Sequence, residues 1–128
     1  MTEKRKLENA IHKVMREIAL IKHNYCVVCG RKDGILQGGH LIPKSASRSV
    51  RFDLMNVHTQ CSGCNSLHRY NQAPYINWFI KEYGADTFDE LVRKSRELSH
   101  YKISDLRKIL SDYKELLCEL TKEKNICC

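Results

Sequence analysis

Two cysteine pairs are the first residues in this chain whose types and spacing imply chemistry. Cys26-Val-Val-Cys29 and Cys61-Ser-Gly-Cys64 share the C-x2-C pattern and are separated by thirty-one residues. Zinc takes four ligands in a tetrahedron, with sulfur at about 2.3 Å, and a C-x2-C turn delivers two thiolates to one hemisphere without strain. Two such turns complete a shell, so one structural Zn2+ with no open position for water is expected on Cys26, Cys29, Cys61 and Cys64. An iron–sulfur cluster or a chance pairing of free thiols would use the same residues, but no redox-partner motif accompanies them. The other cysteines receive no ligand role: Cys118 falls on the apolar side of the last helical pattern, and Cys127 and Cys128 end a polar tail.

The segment between and just after the pairs holds the second set. It reads Gly38-Gly39-His40-Leu41-Ile42-Pro43, then a loop with Lys44, Arg48 and Arg51, then Asn56-Val57-His58; Asn65 and His68 follow Cys64. Phosphodiester hydrolysis needs a base for water, neutralisation of phosphate charge and stabilisation of the leaving oxygen. His40 can be the base, because an imidazole with a pKa near 6.5 is largely neutral at cellular pH. Asn65 offers a neutral oxygen to a hard ion such as Mg2+ or Mn2+. Lys44, Arg48, Arg51 and Arg69 can grip backbone phosphates. The formal net charge is +7, and residues 22–70 carry seven Lys/Arg against two acids, with none between Asp33 and Asp53. That places the basic excess on the cysteine-bracketed segment and favours a polyanionic partner. Each role has a plain competitor: His40 packing on a strand, Asn65 capping a helix, the basic loop as a solvated surface.

These residues must be positioned by elements that the apolar periodicity outlines. Leu7, Ile11, Val14, Ile18 and Ile21 recur at steps of four and three, which predicts an amphipathic helix over 2–22 begun by Thr2. Packing on its own domain and an intermolecular coiled coil are both open to it, although three heptads are short for a free coil. Residues 23–60 lack a helical period and are rich in glycine, which predicts knuckle, loop and two short strands, about 35–42 and 56–59. Helix resumes near Ser62, breaks before Pro74 and stops at Gly84; further helices are expected over 87–99 and from Ser104 onward. The cluster around Trp78 follows helical spacing, as a core would, rather than a base-stacking platform. The last helix presents Leu106, Ile109, Leu110, Tyr113, Leu116, Leu117 and Leu120 on one side.

A histidine ending a strand, an asparagine before the second knuckle and an asparagine opening the next helix together resemble the HNH, or beta-beta-alpha-metal, nuclease motif in its zinc-supported form, over 25–70. More narrowly, Gly39-His40, Arg51-Phe52, Asn56-Val57-His58-x-Gln60-Cys61 and Cys64-Asn65, with the Tyr-rich helix reaching Tyr83-Gly84, look like the lambda-type NinG (Rap) phage recombination proteins, over 25–120. The resemblance implies a structure-specific endonuclease acting on branched DNA such as Holliday junctions and D-loops, in the cytoplasm of a bacterial host, phage or prophage encoded. By the family pattern Asn56 holds the hairpin loop and so orients the catalytic His40, with Asn65 as the third site residue. One departure stands out. Many HNH enzymes carry an acidic residue or a second histidine directly before the base, where this chain has Gly39; His68 or His58 would then complete the catalytic metal site, or few protein ligands hold the ion.

The expected architecture is therefore α+β and mostly helical, a zinc-stapled beta-beta-alpha-metal motif flanked by N-terminal and C-terminal helices. One domain over 1–128 is expected, divided into an N-terminal helix (1–22), the zinc-bound motif (23–70), a helical part (71–120) and a tail (121–128). No apolar run serves as a signal peptide or membrane span, so a cytoplasmic protein with reduced thiols is expected. The alternative to an enzyme is a zinc-stapled DNA-binding module with an inactive hairpin. A homodimer through the first and last helices would suit the two-fold symmetry of a four-way junction, whereas packing of those helices on each other within one chain would leave a monomer.

Overall fold

The computed structural model describes residues 1–124. Residues 125–128, the second half of the expected 121–128 tail and with it Cys127 and Cys128, lie outside the described residues. The architecture is α+β and mostly helical: α1 (Glu3–Lys22), β1 (Leu36–His40), β2 (Val57–Cys61), α2 (Ser62–Leu67), α3 (Ala73–Tyr83), α4 (Ala85–Ser95) and α5 (Ile103–Glu123). The two strands form an antiparallel ribbon that pairs Leu36 with Cys61, Gln37 with Gln60, Gly39 with His58 and His40 with Val57. A short 3-10 turn, Leu54–Asn56, leads into β2 and is capped by Asp53.

α1 begins where the periodicity places it, because the Thr2 hydroxyl accepts the Arg5 amide and so satisfies one of the unpaired amides of the first turn. Its apolar stripe buries Ile11, Met15 and Ile18 almost completely, each contributing about 1.5–3 kcal/mol by transfer from water. Ile11 and Met15 meet Leu106 of α5, Phe52 and Val57, with Leu7, Ile109, Leu110 and Tyr113 packed around them. The stripes of the first and last helices thus pack on each other within the chain. This covers much of the apolar surface that a homodimer through these helices would use, and leaves most of the α5 stripe half-buried, Leu106 alone of that stripe being fully enclosed.

A second cluster lies on the other side of the ribbon, where Val27, Leu41 and Val50 meet Tyr75 and Phe79 of α3 and Leu91 of α4. Trp78 belongs to this packing, edge-on to His58 and Tyr83, as the core reading of that aromatic cluster requires. α1 is held to the ribbon by Arg16, whose guanidinium donates twice to the Leu36 carbonyl, at 3.1 and 2.9 Å. Gly38 makes this crossing possible: a Cβ there would lie 3.3 Å from Arg16 Cα and 3.1 Å from a Val57 methyl.

Two boundaries differ from the periodicity. α4 starts at Ala85, directly after Gly84, and ends at Ser95, not over 87–99. Thr87 does not cap it, since its hydroxyl donates to the Tyr83 carbonyl at 2.8 Å. The end at Ser95 is set from outside the helix: Ser47 and Ser49 donate to the terminal carbonyls of Ser95 and Lys94, at 2.8 and 2.7 Å. Those bonds dock the basic 43–51 loop on α4, while Tyr101 donates to the Ser49 carbonyl and Tyr113 to that of Phe52. β1 and β2 are also displaced slightly from 35–42 and 56–59, Asn56 being the last residue of the turn rather than the first of the strand. No helix among the described residues is long and apolar enough to cross a membrane.

Candidate active site and metal centre

The four paired cysteines converge: the sulfurs of Cys26, Cys29, Cys61 and Cys64 all lie within 4.8 Å of one another. Four sulfurs at 2.3 Å from one ion would be about 3.8 Å apart, and Cys29 and Cys61 are already at 3.7 Å. In each knuckle the second cysteine's amide donates to the first cysteine's sulfur, Cys29 to Cys26 at 3.5 Å and Cys64 to Cys61 at 3.4 Å. Such bonds favour the thiolate over the thiol. The donor set, its spacing and its local amides fit a metal such as zinc. The first knuckle is stitched to the ribbon by the Val27 amide on the Thr59 carbonyl at 2.9 Å, and the second begins at the last residue of β2. Cys61 caps α2, so Asn65 sits inside that helix and is not its N-cap.

Beside the ribbon an open cleft of about 700 Å³ is bordered by His12, His40, Lys44, Asn65 and Arg69. His40 ends β1, and its Nε2 lies 3.0 Å from the Arg51 carbonyl oxygen. A carbonyl can only accept, so Nε2 carries the proton and Nδ1 keeps its lone pair. Burial, with lesser repulsion from Lys44 and Arg51, lowers the His40 pKa to about 4 despite that hydrogen bond; the ring is neutral at pH 7.

Asn56 explains why the loop returns to His40. It is wholly buried; its Oδ1 accepts the Ile42 amide at 2.8 Å, and its Nδ2 donates to the carbonyls of Ile42 at 3.0 Å and Val50 at 3.2 Å. One side chain thus closes the loop from Ile42 to Val50, next to the Arg51 carbonyl that holds His40. Asn65 donates through Nδ2 to Gln37 Oε1 at 2.8 Å, which turns its Oδ1 towards Gly39.

The basic residues separate. Lys44 and Arg69 are exposed and border the cleft, whereas Arg48 borders an adjoining depression with Lys4 and His100. Arg51 turns inward: it pairs with Glu8 at 3.1 Å, with both side chains largely enclosed, donates to His12 Nε2 at 3.3 Å and covers the Phe52 ring. The expectation of Arg51 as a phosphate grip is corrected accordingly, since its charge is already matched. His58 and His68 are likewise directed away from the cleft. Both are buried; His58 donates to the Met55 carbonyl at 2.7 Å within the aromatic cluster, and His68 to the Leu41 carbonyl at 2.8 Å. Neither ring stands beside Asn65 in the cleft, so the assignment of His58 or His68 to the catalytic metal gives way to a structural role, because a buried imidazole must spend its N–H on a partner.

His12 was not singled out by spacing, yet its ring lies edge-on to His40 at 5.4 Å between centroids and packs on Phe52. Burial first, then His40, Lys44 and Arg51, lower its pKa to about 3. The signal available in the sequence was polar: Glu8 and His12 stand one turn apart, next to the buried stripe of α1.

Cys61→Ser is expected to lose the bound metal and the ordered hairpin, because structural zinc contributes on the order of 10 kcal/mol of apparent binding energy, comparable with a domain's whole stability. Metal analysis together with circular dichroism checks this; a wild-type chain that carries no metal, or that stays fully folded after chelation, contradicts it. A second expectation concerns acid. His12, His40 and His58 are lowered to about 3, 4 and 4, so below pH 6.5 the unfolded chain binds protons that the folded chain refuses. Their stabilisation is complete above about pH 6.5 and is lost as pH falls towards 4. Urea midpoints, with metal content followed in parallel, should drop between pH 7.5 and 5.5 while the metal remains bound; equal midpoints would contradict the burial of these rings.

Comparison with known proteins matches the sequence to a family. The family model described as "NinG: Bacteriophage Lambda NinG protein" covers residues 3–123. Relatives named "Protein ninG" include that of Escherichia phage 933W, 27% identical over 101 residues, covering 78% of this chain and 50% of the relative. That of Escherichia phage lambda is 26% identical over 101 residues, covering 78% of this chain and 49% of the relative. That of Enterobacteria phage H19B is 36% identical over 53 residues, covering 41% and 26%. The chain therefore spans about half the length of the full relatives it matches. No solved structure matches. The family match runs from the first turn of α1 to the last residue of α5, and on it this chain belongs to the bacteriophage Lambda NinG protein family.

Proposed function

We propose that the chain is a metal-dependent endonuclease of the zinc-supported HNH type, acting on branched DNA in phage recombination. The observation that carries this reading is the His40 ring: a neutral imidazole whose Nε2–H is held by the Arg51 carbonyl, leaving Nδ1 as the basic atom at the edge of a cleft shared with Asn65, Lys44 and Arg69. In this reading Nδ1 takes a proton from the attacking water. The Arg51 carbonyl stabilises the imidazolium that results, and Asn56 keeps that carbonyl in place by closing the loop before it. Lys44 and Arg69 hold the phosphates on either side. Asn65 supplies an amide oxygen for a divalent ion; bound Mg2+ or Mn2+ would neutralise phosphate charge and stabilise the leaving oxygen. The Cys26, Cys29, Cys61 and Cys64 cluster has no position left for a substrate, so its zinc is structural.

Several features support DNA as the partner: the +7 charge, its concentration in 22–70, and exposed cations flanking the base. Branch preference rests on the family resemblance. The inactive-module reading draws on Gly39, which removes the customary ligand beside the base.

A nicking assay comparing a four-way junction with linear duplex, with and without Mg2+ or Mn2+, tests the proposal. Metal-dependent cleavage of the junction is expected. His40→Ala should cut the rate by about 10²–10⁴-fold, the usual contribution of a general base, with junction affinity nearly unchanged because the cations remain. Wild-type protein that binds junctions without nicking them would establish the inactive module instead, and unchanged nicking by His40→Ala would remove His40 as the base.

A further inference from the structure

Gly39 stands where an acidic ligand would be, and the structure shows what fills that space. A Cβ built on Gly39 would lie 1.9 Å from Gln60 Oε1 and 3.0 Å from Asn65 Oδ1. Two amide oxygens, one from β2 and one from α2, therefore converge on the volume that a residue-39 side chain would occupy. Gln60 is wholly buried, and neither its Oε1 nor its Nε2 has a hydrogen-bond partner. Leaving a buried amide unpaired is costly, so an oxygen held this way is one that a ligand would satisfy. Asn65 is aimed by its bond to Gln37, and Gln37 is itself the strand partner of Gln60.

We infer that Gln60 supplies the protein oxygen that Gly39 does not, making the divalent-cation site a pair of neutral amides, Gln60 Oε1 and Asn65 Oδ1. The inference rests on the nuclease reading above and names the ligand set of that same site. Mg2+ and Mn2+ prefer oxygen and are ordinarily anchored by one or two carboxylates together with substrate phosphate. Two uncharged oxygens give little Coulomb attraction by themselves. Phosphate then provides the negative charge, and the ion and the DNA bind together rather than in sequence. Gly39 and Gln60 are complementary under this account: a side chain on one is incompatible with the present position of the other. On the side away from the cleft, Gln60 and His68 border a separate cavity of about 140 Å³, which is large enough for water; hydration of a purely structural amide is the competing explanation.

Binding of Mn2+, read from loss of the free-ion EPR signal, separates them. The zinc-loaded chain carrying His40→Ala, chosen to slow cleavage during the titration, is titrated with Mn2+ alone and with Mn2+ plus a four-way junction. Mn2+ affinity should rise roughly tenfold or more when the junction is present. Adding Gln60→Leu should lower that junction-dependent affinity about 10–100-fold, the effect expected from loss of a ligating or orienting group, while metal-free junction binding stays the same. Unaltered Mn2+ affinity in a folded Gln60→Leu chain would overturn the assignment. Should that variant fail to fold, Gly39→Asp combined with Gln60→Ala puts a carboxylate into the same space. That chain should then take Mn2+ roughly tenfold more tightly without DNA, and no gain would overturn the assignment equally. Absence of Mn2+ binding in every chain, junction present, would remove both this inference and the metal-dependent nuclease reading beneath it.

Discussion

The convergence of four sulfurs on one point is the constraint on which the rest of this structure depends. The ribbon that carries the site is two strands of five residues each, and an isolated hairpin of that size is marginal in water. The knuckles join the residues before β1 to the end of β2 and the first turn of α2, so a metal there closes the segment as a covalent staple would. Once closed, the ribbon has two usable faces. α1 covers one through Val57, with α5 packed against α1, and α3 covers the other, its rings around His58 and its Tyr75 hydroxyl on the Gly39 carbonyl. Neither core would have a floor without the ribbon between them.

Within that frame the site is built from backbone carbonyls more than from side-chain pairs. Three buried or half-buried imidazoles, His40, His58 and His68, each give their Nε2 proton to a main-chain oxygen, of Arg51, Met55 and Leu41. Only the first of them stands on the open cleft. What distinguishes His40 is therefore position rather than chemistry, and position comes from the Asn56 amide and from the hydroxyls of Ser47 and Ser49, which fasten the loop to α4. The inward pairing of Arg51 with Glu8 and His12 serves the same end, because it anchors to α1 the residue whose carbonyl holds the base. A helix that is distant in sequence thereby helps to set the tautomer of His40.

Much of this was legible in the sequence where the signal is local. The C-x2-C turns, the Thr2 cap, the Pro74 and Gly84 boundaries and the stripe of α1 each depend on residues within a turn or two of one another, and each appears in the structure close to where the pattern places it. Asn56 could be anticipated as a loop clasp only through resemblance to a family, since its three bonds reach back to Ile42 and Val50. What the sequence did not disclose is long-range. Arg51 and Lys44 look alike in a basic loop, and only the approach of Glu8 from α1 tells them apart. His58 and His68 read as spare ligands until the carbonyls beside them are seen. The early start of α4 reflects Thr87 bonding backwards to Tyr83. The amide of Gln60 is invisible as a site residue until the absence of a Cβ at Gly39 is given a shape.

The fold presents His40 as a neutral imidazole protonated on Nε2, with Nδ1 placed to accept a proton. Long-range 1H–15N NMR of the histidine rings in the metal-loaded chain tests this directly, because the two ring nitrogens differ widely in shift according to which carries hydrogen. The account requires a protonated Nε2 and a bare Nδ1 for His40 at pH 7, persisting as pH is lowered to about 5, since the pKa lies near 4. A proton on Nδ1, or a doubly protonated ring at pH 7, would contradict it.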